Sequence, residues 1–142
     1  MIEQQTITIR TSGRATIEIT REIDAVLRAS AIEQGLCHVF VHHTSASLII
    51  TENADSNVRR DLESWISTHV RDGDPAFVHD QEGPDDMAAH IRSVLTQTEL
   101  SIPVQSGKLA LGTWQGLFLW EHRFQAHRRK LTVTLLGAPR QS

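Results

Sequence analysis

The chain has no tyrosine, one cysteine and only four prolines among its 142 residues, and its apolar stretches are short. Each shortage excludes something. A single thiol, Cys37, forbids an intrachain disulfide and any zinc cluster built on several thiolates, which fits a reducing, cytoplasmic setting. No run approaches the about 18 apolar residues that cross a bilayer, so no membrane span is expected. The start, Met1-Ile2-Glu3-Gln4-Gln5, lacks the basic and apolar regions of a signal peptide. Charge of either sign is also scarce in the balance: 14 Lys and Arg against 17 Asp and Glu leave −3, too little to predict nucleic acid or an anionic membrane as partner. With 39% hydrophobic and 22% charged residues, the chain is neither a disordered tail nor a collagen-like fibre. Its length reads as one domain, residues 1–142, and cannot hold a (β/α)8 barrel of about 250 residues or a two-lobed enzyme.

Histidine, by contrast, is abundant. Eight imidazoles and no phenol mean that a side chain titrating near neutrality is expected to be His.

Periodicity gives the elements. Residues 2–11 and 14–20 alternate around Gly13 and read as a hairpin with one buried face. Thr20 is placed to cap a helix with the stripe Ile23, Val26, Leu27 and Ala31, ending at Gly35. Residues 36–43 and 47–51 read as strand. Asp55 or Ser56 caps a second helix carrying Val58, Leu62, Trp65 and Ile66, and residues 71–83 form a loop. Pro84 suits the first position of a third helix, with Met87, Ile91, Val94 and Leu95 as its buried stripe. Strands follow at 100–104, 108–111, 114–124 and 130–136. The order β-β-α-β-β-α-α-β-β-β-β puts most strands in hairpins and predicts an α+β domain with a largely antiparallel sheet.

Three stretches carry chemistry. In His42-His43-Thr44-Ser45-Ala46-Ser47, alternation sets His43 on the face of Cys37, Val39 and Val41 and His42 on the face of His38 and Phe40; one of the two faces must meet the core, so an imidazole ends a buried row beside three hydroxyls. A histidine bonded into a strand end gives the same pattern. Asp86 and His90, one helical turn apart, can orient each other as a general base or metal ligand requires, although an ordinary acidic helix start also accounts for them. Gly112 and Gly116 bracket Thr113-Trp114-Gln115, and unbroken alternation sets His122 with Trp114, Phe118 and Trp120. An indole near a histidine suits a cavity for a flat heteroaromatic ligand, or simply an aromatic core. Charge is also uneven. Residues 72–86 hold six acids and no Lys or Arg, with His79 and His90 at the edges, and could bind a divalent cation or be a solvated loop.

Taken in order, His43-Thr44-Ser45-Ala46-Ser47-Leu48, Glu52-Asn53, Val58-Arg59-Arg60-Asp61-Leu62, Glu82-Gly83-Pro84-Asp85-Asp86-Met87 with His90, Ser101-Ile102-Pro103-Val104, Leu109 to Gly116 and Trp120-Glu121-His122-Arg123 resemble the secondary thiamine-phosphate synthase (YjbQ-like) family. The resemblance runs from about Ile2 to Gly137. It implies a compact α+β fold with a barrel-like sheet, a homotrimer, and a weak or auxiliary thiamine-phosphate synthase activity. It points to His43, Asp86, His90 and His122 as site residues, with Trp114 and Gln115 near them. Ala88 stands in place of an expected proline and Phe118 in place of a frequent tyrosine, neither of which removes a titrating group.

Three functions follow as expectations. A synthase would join a pyrimidine diphosphate to a thiazole phosphate and release pyrophosphate. Asp86 and Glu82 would serve Mg2+, Arg59, Lys108 or Arg123 the phosphates, and Trp114 the rings. In a metal-dependent hydrolase, the alternative, His43, His90 and His122 would converge on Zn2+ and activate water; for the enzyme the expected catalytic groups are Asp86, His90 and His43. A non-enzymatic trimeric module would instead bind a small ligand between subunits.

Overall fold

The structure is a computed structural model that describes residues 1–141. Its elements are β1 (Ile2–Arg10), β2 (Ala15–Glu18), α1 (Thr20–Arg28), β3 (Ile32–Val41), β4 (Ala46–Glu52), α2 (Ser56–His69), α3 (Asp86–Leu95), β5 (Glu99–Gln105), β6 (Lys108–Leu109), β7 (Gln115–Glu121) and β8 (Arg128–Pro139). No described helix is long and apolar enough to cross a membrane.

The predicted order of strands and helices holds, and every ladder is antiparallel, but the pairing differs from the expected hairpins. Five strands form one sheet in the order β1-β8-β3-β5-β6, and three form another in the order β2-β7-β4. Among the described residues, only β5 and β6 pair with a chain neighbour, through the two-residue turn Ser106-Gly107, whose φ values of 52° and 70° are those of a primed hairpin turn. The expected hairpin of β1 and β2 does not form: β1 lies along β8 and β2 along β7. Alternation sets which face of a strand is buried but not which strand lies beside it. At one end of the β3–β8 ladder, Gly35 faces Gly137, and a Cβ on either would run into the other strand's backbone, so both must be glycine.

The two sheets curl into a half-barrel, making a single compact α+β domain with three helices. Leu48, Leu117 and Leu119 of the small sheet meet Val39, Ile102, Leu131 and Val133 of the large one, and α1 closes the core with Ile23, Val26 and Leu27. On the far side of the small sheet, α2 and α3 cover Trp120 and Ile49 with Ile66, Leu62, Ala88 and Ile91. The middle strand β7 is therefore covered on both faces, and its residues Gly116–Glu121 are all buried.

Local details depart from the expected ones. The cap of α1 is Ile19. Thr20 Oγ1 donates to Glu18 and accepts from the Leu117 amide, so this hydroxyl ties the helix start to β7. α3 begins at Asp86, two residues beyond the proline expected to open it. Its buried face is Asp86, Ala88, Ala89, Arg92 and Ser93, whereas Val94 and Leu95 of the expected stripe are 83% and 61% exposed. Trp65 of α2 is exposed as well, and Ile66 is the buried residue of that helix.

Candidate functional site

Asp86 opens α3 and His90 follows one turn later, so the two side chains lie on one flank of the helix, as the spacing predicts. The loop before the helix brings His79 onto the same carboxylate. His79 Nε2 lies 2.6 Å and His90 Nε2 3.1 Å from Asp86 Oδ2, and the ring centroids are 5.4 Å apart. Among the described residues, these three form a group whose ligand atoms lie within 4.8 Å of one another and could hold a metal ion. Asp86 is nearly fully buried, while His79 remains 45% exposed and opens the group to solvent.

The protons in this group follow from its neighbours. His90 Nδ1 lies 3.0 Å from the Thr44 carbonyl, which can only accept, so Nδ1 carries the hydrogen. A neutral His90 ring then turns the lone pair of Nε2 toward a carboxylate oxygen, and a proton or a metal ion has to stand between the two acceptors. Arg123 fixes the carboxylate from behind. Its Nε donates to Asp85 Oδ2 at 2.9 Å, Nη1 to Asp86 Oδ1 at 2.5 Å and Nη2 to the Glu82 carbonyl at 3.0 Å. Burial works to raise the Asp86 carboxyl, but the His79 hydrogen bond and the charges of His90 and Arg123 outweigh it and hold it below the usual carboxylate range.

The trio expected to share a metal, His43, His90 and His122, does not come together within the chain. His122 is fully buried beneath α3, where Arg92 Nε donates to its Nδ1 at 3.1 Å. Its Nε2 must therefore carry the hydrogen, which it gives to Ser47 Oγ at 2.8 Å. Neither ring nitrogen is left for a metal. Burial, with Arg92, Arg14 and Arg129 close by, pushes the His122 ring down to about 2, so it stays neutral and donates to Ser47 where a general base would accept. His43 Nε2 accepts from the Lys130 amide at 2.8 Å, so that nitrogen is also occupied, and burial followed by the charge of Arg129 holds its ring below the usual histidine value.

The expected substrate-binding residues are likewise scattered. Trp114 is 62% exposed, and the indole that meets His122 is that of Trp120, at 5.2 Å between centroids. Gln115 closes a turn through its side chain, whose Oε1 accepts from the Gly112 amide at 2.7 Å. Arg59 donates to the Glu52 carbonyl and stacks over the Phe118 ring at 4.8 Å. Lys108 is exposed on β6, and Arg123, expected to bind phosphate, is bound by carboxylates of its own chain.

Arg92 and Glu63 escaped the sequence reading. Arg92 is fully buried, and its Nη2 donates to both carboxylate oxygens of Glu63 at 2.5 Å. Trp120 Nε1 donates to the same carboxylate. The strip of small residues Ala88, Ala89 and Ser93 around Arg92 was the available signal, since it marks where a helix approaches its neighbour closely.

The family model described as UPF0047 protein YjbQ-like matches residues 5–138. The UPF0047 protein sll1880 of Synechocystis is 48% identical over 134 residues, covering 94% of this chain and 91% of the relative. The UPF0047 protein YjbQ of Salmonella typhimurium is 44% identical, covering 94% and 97%. Among solved structures, the hypothetical protein APE1520 of Aeropyrum pernix superposes with a TM-score of 0.87 at 26% identity, covering 96% of this chain and 99% of that one. The conserved hypothetical protein TT1486 of Thermus thermophilus gives 0.83 at 32%, covering 93% and 99%. The antiparallel half-barrel and the match along nearly the whole sequence agree: the chain belongs to the YjbQ-like UPF0047 family, a family of uncharacterised function.

Proposed function

We propose that His79, Asp86 and His90 hold a divalent transition-metal ion, zinc by the chemistry of the donors, and that the protein is a small metal-dependent hydrolase of a phosphate or amide bond. The observation that carries this reading is His90 Nε2 facing Asp86 Oδ2 at 3.1 Å while the other ring nitrogen is committed to the Thr44 carbonyl. Metal-bound imidazoles are oriented by such a backbone carbonyl. Bonds of about 2.0–2.1 Å to a tetrahedral zinc set its ligand atoms roughly 3.3 Å apart; His90 Nε2 and Asp86 Oδ2 at 3.1 Å are near that, while His79 Nε2 at 2.6 Å would draw back to admit the ion. Three protein ligands leave a fourth position for water, which the ion would make acidic enough to attack at neutral pH. Beside His79 a cleft of about 360 Å3, walled by Phe77, Met87, Pro75, Pro84, Asp74 and Asp80, has the size of a small-molecule pocket.

The thiamine-phosphate synthase activity that the resemblance implies asks for Mg2+ and for cations on a diphosphate. Two imidazoles suit zinc better than Mg2+, and Arg123 is already bound to Asp85 and Asp86, so the geometry favours the hydrolase. The reading places the protein in the cytoplasm, the setting that a lone cysteine without a disulfide partner fits. It also takes the family-implied homotrimer as the assembly.

Elemental analysis of protein prepared without an affinity tag is expected to find about one zinc per chain. His90→Ala and Asp86→Asn are expected to lose it, and Arg123→Gln to bind it about 10–100-fold more weakly by releasing Asp86. Wild-type protein that neither contains nor takes up zinc would overturn the metal centre. Coupling the two phosphorylated precursors and measuring thiamine phosphate decides the competing reading: faster product formation by wild type than by His90→Ala would favour the synthase.

A further inference from the structure

Away from the histidine cluster, α1 and the β5–β6 turn enclose a groove of about 600 Å3. Arg21 and Arg28 of α1, Lys108 of β6 and Arg140 line it, together with the apolar Leu109 and Leu111, which we take as its floor. Asp24 is the one carboxylate among its lining residues, so four cations face one anion in a chain whose net charge is −3. Asp24 is spent on Arg28 Nε at 2.8 Å, and Arg140 Nε reaches Glu33 at 3.4 Å. Arg21 and Lys108 form no ion pair among the described residues. A second cavity, of about 390 Å3, shares Arg28, Gly107 and Arg140 with the first and adds the Glu33 carboxylate, so both guanidinium groups border both cavities.

Like charges gathered along one groove repel, and an anion among them removes the repulsion. Guanidinium forks bind phosphate oxygens in pairs, and an ammonium adds a point charge. The leucine floor gives an organic body something to rest on, and the volume is that of a nucleotide-sized ligand. We infer that this groove is a second binding site, separate from the histidine cluster, for a nucleotide-sized organic polyphosphate. Arg21 and Lys108 supply the unspent charge, Arg28 and Arg140 the forks, and Leu109 and Leu111 the apolar contact.

Calorimetric titration of the full chain at low salt tests this with two probes, ADP and inorganic pyrophosphate. ADP is expected to bind more tightly than pyrophosphate because only ADP uses the floor. Arg21→Gln with Lys108→Gln is expected to raise the Kd for ADP at least tenfold, and Asp24→Asn to lower it by removing the opposing charge and freeing Arg28. Arg21 and Lys108 are exposed, so the double variant should keep the wild-type melting temperature. His90→Ala should bind ADP as wild type does, which separates this site from the metal centre. Absence of ADP binding, or an unchanged Kd in the double variant, overturns the site. Loss of ADP binding in His90→Ala would assign the ligand to the histidine cluster instead. Equal affinity for pyrophosphate would overturn the role given to the floor.

Discussion

Which nitrogen of an imidazole carries the proton decides what each histidine can do. The Thr44 carbonyl takes the hydrogen of His90 Nδ1 and leaves Nε2 facing Asp86 across a proton or a metal ion, whereas the Arg92 guanidinium occupies His122 Nδ1 and makes that ring a donor to Ser47. The same residue type thus becomes a candidate ligand in one place and an inert wedge in the other. His122 should leave a mark on stability. Its folded value of about 2 lies below the ordinary 6.5, so unfolding takes up a proton between those limits. Its contribution is fully present above pH 6.5 and is lost as pH falls, at a slope of about 1.4 kcal/mol per pH unit for one proton. Urea denaturation at pH 6 and pH 5 should show that loss in wild type, and His122→Gln should remove this part of the slope. Equal slopes in the two proteins would contradict a neutral buried ring. Only part of this was legible from residues alone: the pairing of Asp86 with His90 could be read from a spacing of four, but the partners of His43 and His122 come from distant segments.

Among the elements, α3 departs furthest from its apolar pattern. Met87, Ile91, Val94 and Leu95 mark a stripe at helical spacing, yet the helix buries Ala88, Ala89, Arg92 and Ser93. It has to lie close to β4 and above Trp120, and small residues permit the approach while the Arg92–Glu63 pair fills what remains. The opposite faces should answer differently to substitution. Ala89→Leu is expected to cost about 1–3 kcal/mol by overpacking. Val94→Glu, on an exposed position, is expected to stay within about 0.5 kcal/mol, both read from chemical denaturation. A reversed ranking would restore the apolar stripe as the buried face. For the other helices the pattern served better, because Ile23, Val26 and Leu27 of α1 and Ile66 of α2 do face the interior.

Across the whole molecule, one exposed surface is more ordered than scatter would make it. On the outer side of the large sheet, Ile2, Leu136, Leu36 and Pro103 are successive cross-strand partners, so an apolar row runs over four strands. Ile2, Leu136 and Leu36 are 66%, 50% and 39% exposed. A contiguous row of this kind is a surface on which copies of the chain could associate, and the proposed homotrimer would cover it. Sedimentation of the wild type is expected to give a trimer, and Leu36→Glu with Leu136→Lys a monomer; a monomeric wild type would overturn the assembly.

The sequence by itself determined the order of strands and helices and the antiparallel α+β class, because hydrophobic period and turn residues act over a few neighbouring positions; that the face of β3 turned inward is Cys37, Val39 and Val41 came from the fold. The sequence also determined the Asp86–His90 pair, whose geometry lies within one helix. Only the tertiary structure decided that β1 joins β8 and β2 joins β7, that both faces of β7 are covered, and that His79 replaces His43 and His122 beside Asp86. Those outcomes depend on segments tens of residues apart meeting in space, and on an arginine and a backbone carbonyl fixing protons from outside the motifs they govern.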